Sequence, residues 1–368
     1  MDHSDQTLQW DIFCRVIDNF GDIGICWRLA ADLASRGQQV RLWVDDASAL
    51  AWMAPNGHPC IRILAWTPLL ADTDLALLGS TPCDVLVEAF GCEIPAELLT
   101  ACSAQAALNG NPPVWINLEY LSAETYAERN HALPSLVSSG PAAGWKKWFF
   151  YPGFTERTGG LLREKYLAEK QNAFVREDWL DTHGIPWQGK TLVSLFCYEP
   201  SSLPALLEQL ATHGLDGKPV QLLVAEGRAR EAVEAMSDTL KHPGISYLPL
   251  LTQTDFDQLL WACDLNFVRG EDSIVRAIWA GKPFVWQIYP QHDGAHHLKL
   301  DAFLNALNAP SSLREFHRCW NDNGAKLAAN SLANDFQAWQ TFARQAKTGL
   351  MANPELTGSL LEFVHKNR

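Results

Sequence analysis

Short, nearly continuous apolar runs recur along this chain, separated by mixed stretches with helical spacing. In the first half the runs occupy residues 10–17, 39–44, 60–64, 83–90, 114–118 and 147–151, the last ending before Pro152-Gly153. A helix is expected over 26–36, directly behind the first run. Buried runs that alternate with helices predict a parallel sheet covered on both faces. A polar helical stretch over roughly 161–183 then leads into a second series. Its strands are expected at 191–198, 220–225, 245–248, 265–268 and 284–288, with helices over 202–213, 228–240, 254–261 and 273–280. The expected fold is α/β, with two Rossmann-like domains facing across a cleft. The first would span 1–180 and the second 181–349, with the helical residues 350–368 packing back on the first domain.

Composition narrows the function classes. A chain of 368 residues that is 47% hydrophobic and 19% charged is long enough for about two domains. The amino terminus has no cationic, apolar, small-residue leader pattern and no apolar segment is long enough to cross a bilayer, so a cytoplasmic location away from membranes is expected. The net charge of −13 argues against a nucleic acid as the main partner, because phosphate neutralisation needs a concentrated Lys/Arg surface. The nine cysteines are scattered without C-x-x-C spacing and read as buried, reduced thiols, Cys92 being the one expected nearer the surface.

Candidate chemistry gathers behind two predicted strands. The loop Asp18-Asn19-Phe20-Gly21-Asp22-Ile23-Gly24 follows the first run, at the end of the strand where open α/β proteins place a reacting group. Asp18 and Asp22 admit two readings. They would cap and charge the next helix, or leave a carboxylate free to orient a nucleophile or take its proton. Arg269-Gly270-Glu271-Asp272-Ser273 opens a helix behind the strand 265–268, with Asp272 or Ser273 as the expected cap. Helix-start N–H groups and a forked cation there suit a phosphate, and an ordinary capping turn is the alternative. Phe196 and Tyr198 alternate along one predicted strand and so would share a face, either in the core or as a wall of a base pocket. Gln253, near Phe256, would supply the amide hydrogen bonds of a pyrimidine.

Three other signals lose support on geometry. Gly184-Ile185-Pro186-Trp187-Gln188-Gly189-Lys190-Thr191 fits the phosphate-loop string, yet it follows a helical stretch and opens a strand, and Pro186 lacks an N–H for the cradle. His292 and His296 have the spacing of a metal pair, but Gly294 interrupts the helix between them and no cysteine completes a set, so no metal is expected. Neither a G-x-S-x-G elbow nor a complete G-x-G-x-x-G fingerprint occurs, which weakens hydrolase and dehydrogenase readings.

Two α/β domains with an acidic loop early and an anion-binding helix start late resemble the GT-B glycosyltransferases. More narrowly, the Asp18–Gly24 loop, Asn117-Leu118-Glu119-Tyr120-Leu121-Ser122-Ala123-Glu124, Phe149-Phe150-Tyr151-Pro152-Gly153-Phe154 and the Arg269–Ser273 segment resemble the bacterial elongation factor P arginine rhamnosyltransferases, the EarP family. The resemblance runs from about residue 10 to the end. It implies an inverting, metal-independent transfer of L-rhamnose from dTDP-β-L-rhamnose to an arginine of elongation factor P, which then relieves ribosomes stalled on consecutive prolines. It further implies that Asp22 is the general base or orients the acceptor, with Asp18 as a second essential acid. Asn19, Phe20, Gly21, Phe196, Tyr198, Gln253, Phe256, Arg269, Gly270, Glu271, Asp272 and Ser273 would hold the donor. The alternatives are another sugar-nucleotide glycosyltransferase or epimerase, and a non-catalytic translation-factor-binding protein.

Overall fold

The computed structural model describes residues 6–17, 20–66, 72–236, 244–290, 294–322, 327, 332 and 335–368. The chain forms two compact units, Met1–Lys165 with Asn353–Arg368, and Tyr166–Ala352. In the first, β1 (Gln9–Cys14), β2 (Gln39–Val44), β3 (Ile61–Ala65), β4 (Val85–Ala89), β5 (Val114–Leu118), β6 (Pro134–Leu136) and β7 (Lys146–Phe150) form one sheet in the order β3-β2-β1-β4-β5-β7-β6. All pairs are parallel except β6 with β7. The helices α1 (Gly21–Ser35), α2 (Leu50–Met53), α3 (Asp72–Ser80), α4 (Ala96–Asn109) and α5 (Thr125–Asn130) connect them.

Strands β1, β4 and β5 are buried along nearly their whole length, as parallel strands between two helical layers must be. Three buried polar groups, Asp11, Glu88 and Asn117, sit among their apolar residues. Asp11 on β1 has no exposed surface; its Oδ1 accepts from Arg41 Nε at 2.6 Å and from Trp43 Nε1 at 2.6 Å on β2, and its Oδ2 accepts from Arg41 Nη2 at 2.5 Å. A buried charge is tolerated only when every oxygen is engaged in this way.

In the second unit, β8 (Thr191–Leu195), β9 (Val220–Val224), β10 (Gly244–Tyr247), β11 (Leu265–Arg269) and β12 (Phe284–Gln287) form a wholly parallel sheet in the order β10-β9-β8-β11-β12. Its helices are α6 (Leu167–Asn172), α7 (Arg176–Thr182), α8 (Leu203–Thr212), α9 (Arg228–Glu234), α10 (Gln253–Ala262), α11 (Glu271–Ala280), α12 (Ala295–Ala306), α13 (Ser311–Asn321) and α14 (Phe336–Met351). The last helix, α15 (Leu356–Asn367), belongs to the first unit.

The first unit ends at Lys165 rather than at 180. Trp179 and Leu180 of α7 are buried with Leu192, Leu223 and Leu259 of the second unit, and Arg176 pairs with Asp264 at 2.9 Å. The terminal helix packs on the first unit: Leu356, Leu360 and Val364 lie in its core, and Arg36, the C-cap of α1, holds Glu355 at 2.7 Å. Gly160 makes the return possible, since a Cβ there would meet Pro354 O at 2.2 Å.

Asp257 of α10 and Arg276 of α11 form a two-point ion pair (2.9 and 2.6 Å) with both side chains almost excluded from water. Removing one partner strands a buried charge, so Asp257→Ala is expected to lower the urea-unfolding free energy of the second unit by about 3–5 kcal/mol. The apolar pair Asp257→Leu with Arg276→Met should recover most of that loss. An unchanged midpoint for Asp257→Ala would show that the pair does not hold the two helices.

Candidate active site

Each sheet reverses its direction of winding once, between β1 and β4 and between β8 and β11. Loops leaving the carboxyl ends of such strands diverge and leave a crevice where ligands of open α/β sheets bind. Both sets of candidate residues sit at these two places.

In the second unit β8 ends at Leu195, so Phe196 and Tyr198 lie on the loop behind it instead of alternating along the strand. They nevertheless meet at one group. The Arg269 guanidinium, at the end of β11, lies 4.6 Å from the Phe196 ring and 4.6 Å from the Tyr198 ring, and Nη1 donates to Cys197 O at 3.4 Å. Such stacking holds a cation in place by its face and leaves its edge for a ligand. Burial lowers the Arg269 pKa from its ordinary value, and the nearby Arg228 charge adds to that. Among the described residues no carboxylate pairs with it within 4.0 Å.

Helix α11 starts at Glu271, two residues earlier than the sequence suggested, and its cap is Gly270 rather than Asp272 or Ser273. Gly270 has φ +75°, a conformation that side chains avoid, and no side chain caps the helix. A helix start without a side-chain cap is a place where anions bind, through its dipole and its first-turn backbone. Trp286 Nε1 donates to Gly270 O at 3.0 Å and fixes the turn from β12. Glu271 accepts from Lys299 Nζ at 2.5 Å, Ser273 is buried, and Asp272 is half-buried beside them. On α10, the Thr252 hydroxyl accepts from Asp255 N at 3.1 Å and caps the helix. Gln253 and Phe256 are one turn apart on that helix, and the Phe256 ring meets Phe196 edge-on at 5.4 Å.

In the first unit α1 begins at Gly21, earlier than the expected start at 26, which puts Asp22 in the first turn of the helix. Tyr120, behind β5, donates its hydroxyl to Asp22 Oδ2 at 3.4 Å. Its ring stacks at 4.8 Å on Phe90, a residue behind β4 with φ +56°. Phe20 is exposed, with its edge on Trp52 at 5.7 Å. Asp18 and Asn19, like His292, lie outside the described residues.

Other expectations are corrected or sharpened. Cys92 is buried, not near the surface, and desolvation pushes its thiol up to about 12. The Gly184–Thr191 string lies between α7 and β8, so it opens a strand and cradles nothing. His296 is buried on α12, and no group of three His, Cys, Asp or Glu that would hold a metal occurs among the described residues. Among those residues no helix is long and apolar enough to cross a membrane. Tyr120, Phe90 and Arg228 were not singled out from the sequence; Tyr120 and Arg228 stand just behind predicted strands, whereas Phe90 was read as the last residue of one, although β4 ends at Ala89.

A pair of Rossmann-like units with an acid behind the first strand of one and a stacked arginine at a helix start in the other defines a GT-B glycosyltransferase. The chain belongs to the EarP family, the elongation factor P (EF-P) rhamnosyltransferases, whose family model matches residues 10–365. It is 40% identical over 386 aligned positions to a protein-arginine rhamnosyltransferase of Pseudomonas aeruginosa, covering 96% of this chain and 98% of that one. A solved structure described as the basis for EarP-mediated arginine glycosylation of translation elongation factor EF-P matches with a TM-score of 0.65 and 30% identity, over 98% of this chain and all of that one. UGT89C1 of Arabidopsis thaliana, complexed with UDP, shares the fold at 12% identity and a TM-score of 0.56, over 98% of each chain. The activity is rhamnose transfer to arginine.

The turn that carries Gly270 hangs on a buried histidine. His317 Nε2 accepts from Trp286 N at 3.0 Å while Nδ1 faces Leu313 O at 2.9 Å, an arrangement only the neutral ring satisfies. Burial lowers its pKa from 6.5 to about 4. Between those values the unfolded chain binds a proton that the folded one refuses, so the contribution is complete above pH 6.5 and shrinks by about 1.4 kcal/mol per pH unit on acidification toward 4. His317→Gln is expected to flatten the fall in unfolding free energy over that range relative to the parent chain. An identical slope in equilibrium denaturation would remove His317 as its source.

Proposed function

We propose that the rhamnose comes from dTDP-β-L-rhamnose and is transferred with inversion, without a metal, to one arginine of elongation factor P in the cytoplasm. The observation that carries this reading is Arg269 against the rings of Phe196 and Tyr198 at the β8–β11 switch point, in a chain of the EarP family. The solved EarP structure, described by its action on EF-P, supports the acceptor.

Phe196 and Phe256 offer faces and edges to a thymine ring, and the Gln253 amide both donates to and accepts from its edge. Arg269 and the first-turn N–H groups of α11 receive the diphosphate. Glu271 and Asp272 only accept hydrogen bonds when ionised, which suits them to sugar hydroxyls rather than to phosphate. On transfer, the bond from the sugar anomeric carbon to the phosphate oxygen breaks and its electron pair leaves with dTDP. A guanidine nitrogen of the acceptor forms the new C–N bond from the opposite face, so a β donor gives an α product. Charge that builds on the leaving oxygen meets donors already in position, which is where preorganised electrostatics count most.

A protonated guanidinium has no nucleophilic lone pair, and the proton must go to a base. Asp22 takes it in this reading, with Asp18 as the second acid and Asn19, Phe20 and Gly21 as the donor-side part of the same loop. The positive end of α1 stabilises the Asp22 carboxylate, and the Tyr120 hydroxyl fixes the orientation of one oxygen.

Asp22→Asn is expected to bind dTDP-rhamnose as the parent chain does yet leave EF-P without added mass on intact-protein mass spectrometry. Full modification by that variant would take the proton transfer away from Asp22. Arg269→Ala should weaken dTDP-rhamnose binding in calorimetry by about tenfold or more, the scale of a lost charge-assisted contact. Equal affinity would put the diphosphate elsewhere.

A further inference from the structure

Arg269 is not the only guanidinium on Tyr198. Strand order places β9, β8 and β11 side by side, so the loops behind them emerge as neighbours. Tyr198 comes from the middle loop, Arg269 from the end of β11, and Arg228 from the first residue of α9, behind β9. Arg228 lies 4.9 Å from the Tyr198 ring, against 4.6 Å for Arg269. Tyr198 itself is buried and held by its backbone, whose N–H donates to Gln287 Oε1 at 2.7 Å. Tyr289 meets its ring edge-on at 5.7 Å. One fixed ring thus carries two cations.

The two differ in what balances them. Arg269 has no carboxylate partner among the described residues, whereas Arg228 is forked onto Glu199, with Nε donating to Oε1 at 2.6 Å and Nη2 to the other oxygen. Both members of that pair are about half exposed, at 46% and 50%. Water screens a pair this exposed even when it is forked, so a multiply charged anion competes for the arginine. The repulsion between the two guanidinium groups adds to the lowering of the Arg269 pKa, and an anion shared by both would relieve it.

We propose that Arg228 is a second donor-diphosphate residue, held on Glu199 until the donor arrives and then turned over Tyr198 to share the diphosphate with Arg269. Glu199 is the competitor that keeps the site from retaining free anions and dTDP too tightly. The inference rests on the donor reading above, with the diphosphate at Arg269.

Calorimetric titration with dTDP, and competition titration with thymidine, tests it on the whole chain. Arg228→Ala should weaken dTDP by about tenfold and leave thymidine unmoved, and Arg228→Lys should recover part of the loss. Glu199→Gln should tighten dTDP by about threefold, because the competing charge is gone. A pair that merely shapes the loop would instead make both variants bind more weakly, and that result overturns the proposal. Parent affinity in Arg228→Ala beside a weakened Arg269→Ala also overturns it while leaving the donor reading intact. If Arg269→Ala binds dTDP as the parent does, the donor reading itself fails, and this inference with it.

Discussion

The two-point pair between Arg276 and Asp257 carries more of the second unit's geometry than its size suggests. Two charges excluded from water repay their desolvation only in one arrangement, so α10 and α11 cannot slide past each other without stranding one of them. Asp257 follows Phe256 directly on α10, and Arg276 lies one turn beyond Ser273 on α11. The ring that meets Phe196 and the helix start that faces Arg269 are therefore fixed by the same ion pair. His317 and Trp286 hold the far side of the Gly270 turn from β12.

The two units use one plan with opposite charge. At the β1–β4 reversal the group at the helix start is an acid, with Tyr120 on its oxygen and Phe90 beneath the tyrosine ring. At the β8–β11 reversal it is an arginine in contact with two aromatic rings. Aromatic contact stiffens the functional group in each, so that little freedom remains to be lost when a ligand binds. An acid to take a proton and a cation to receive a diphosphate are what arginine glycosylation asks of its enzyme.

Strands whose both faces are buried were legible as apolar runs, and the positions of Asp22 and Arg269 behind such runs followed from that alone. Ends were less legible. Phe196 and Tyr198 continue the apolar character of β8 after its ladder has stopped, because pocket walls and strands favour the same residues. The starts of α1 and α11 were set too late, since glycine and acidic residues there read as loop although both helices begin among them. Helix α7 looked like a linker by polarity, yet Trp179 and Leu180 bury a narrow stripe in the second core. Tyr120 meets Asp22 across an intervening strand, and no local pattern encodes a contact of that kind.

The return of α15 to the first unit sets an order on biosynthesis. Leu356, Leu360 and Val364 complete a core whose other members lie before residue 165, while the second unit ends at Ala352 with the buried face of α14. On the ribosome the second unit is complete in sequence while the first still lacks its final wedge. The unit that bears Asp22 is the last to mature, after the fold around Arg269 is in place.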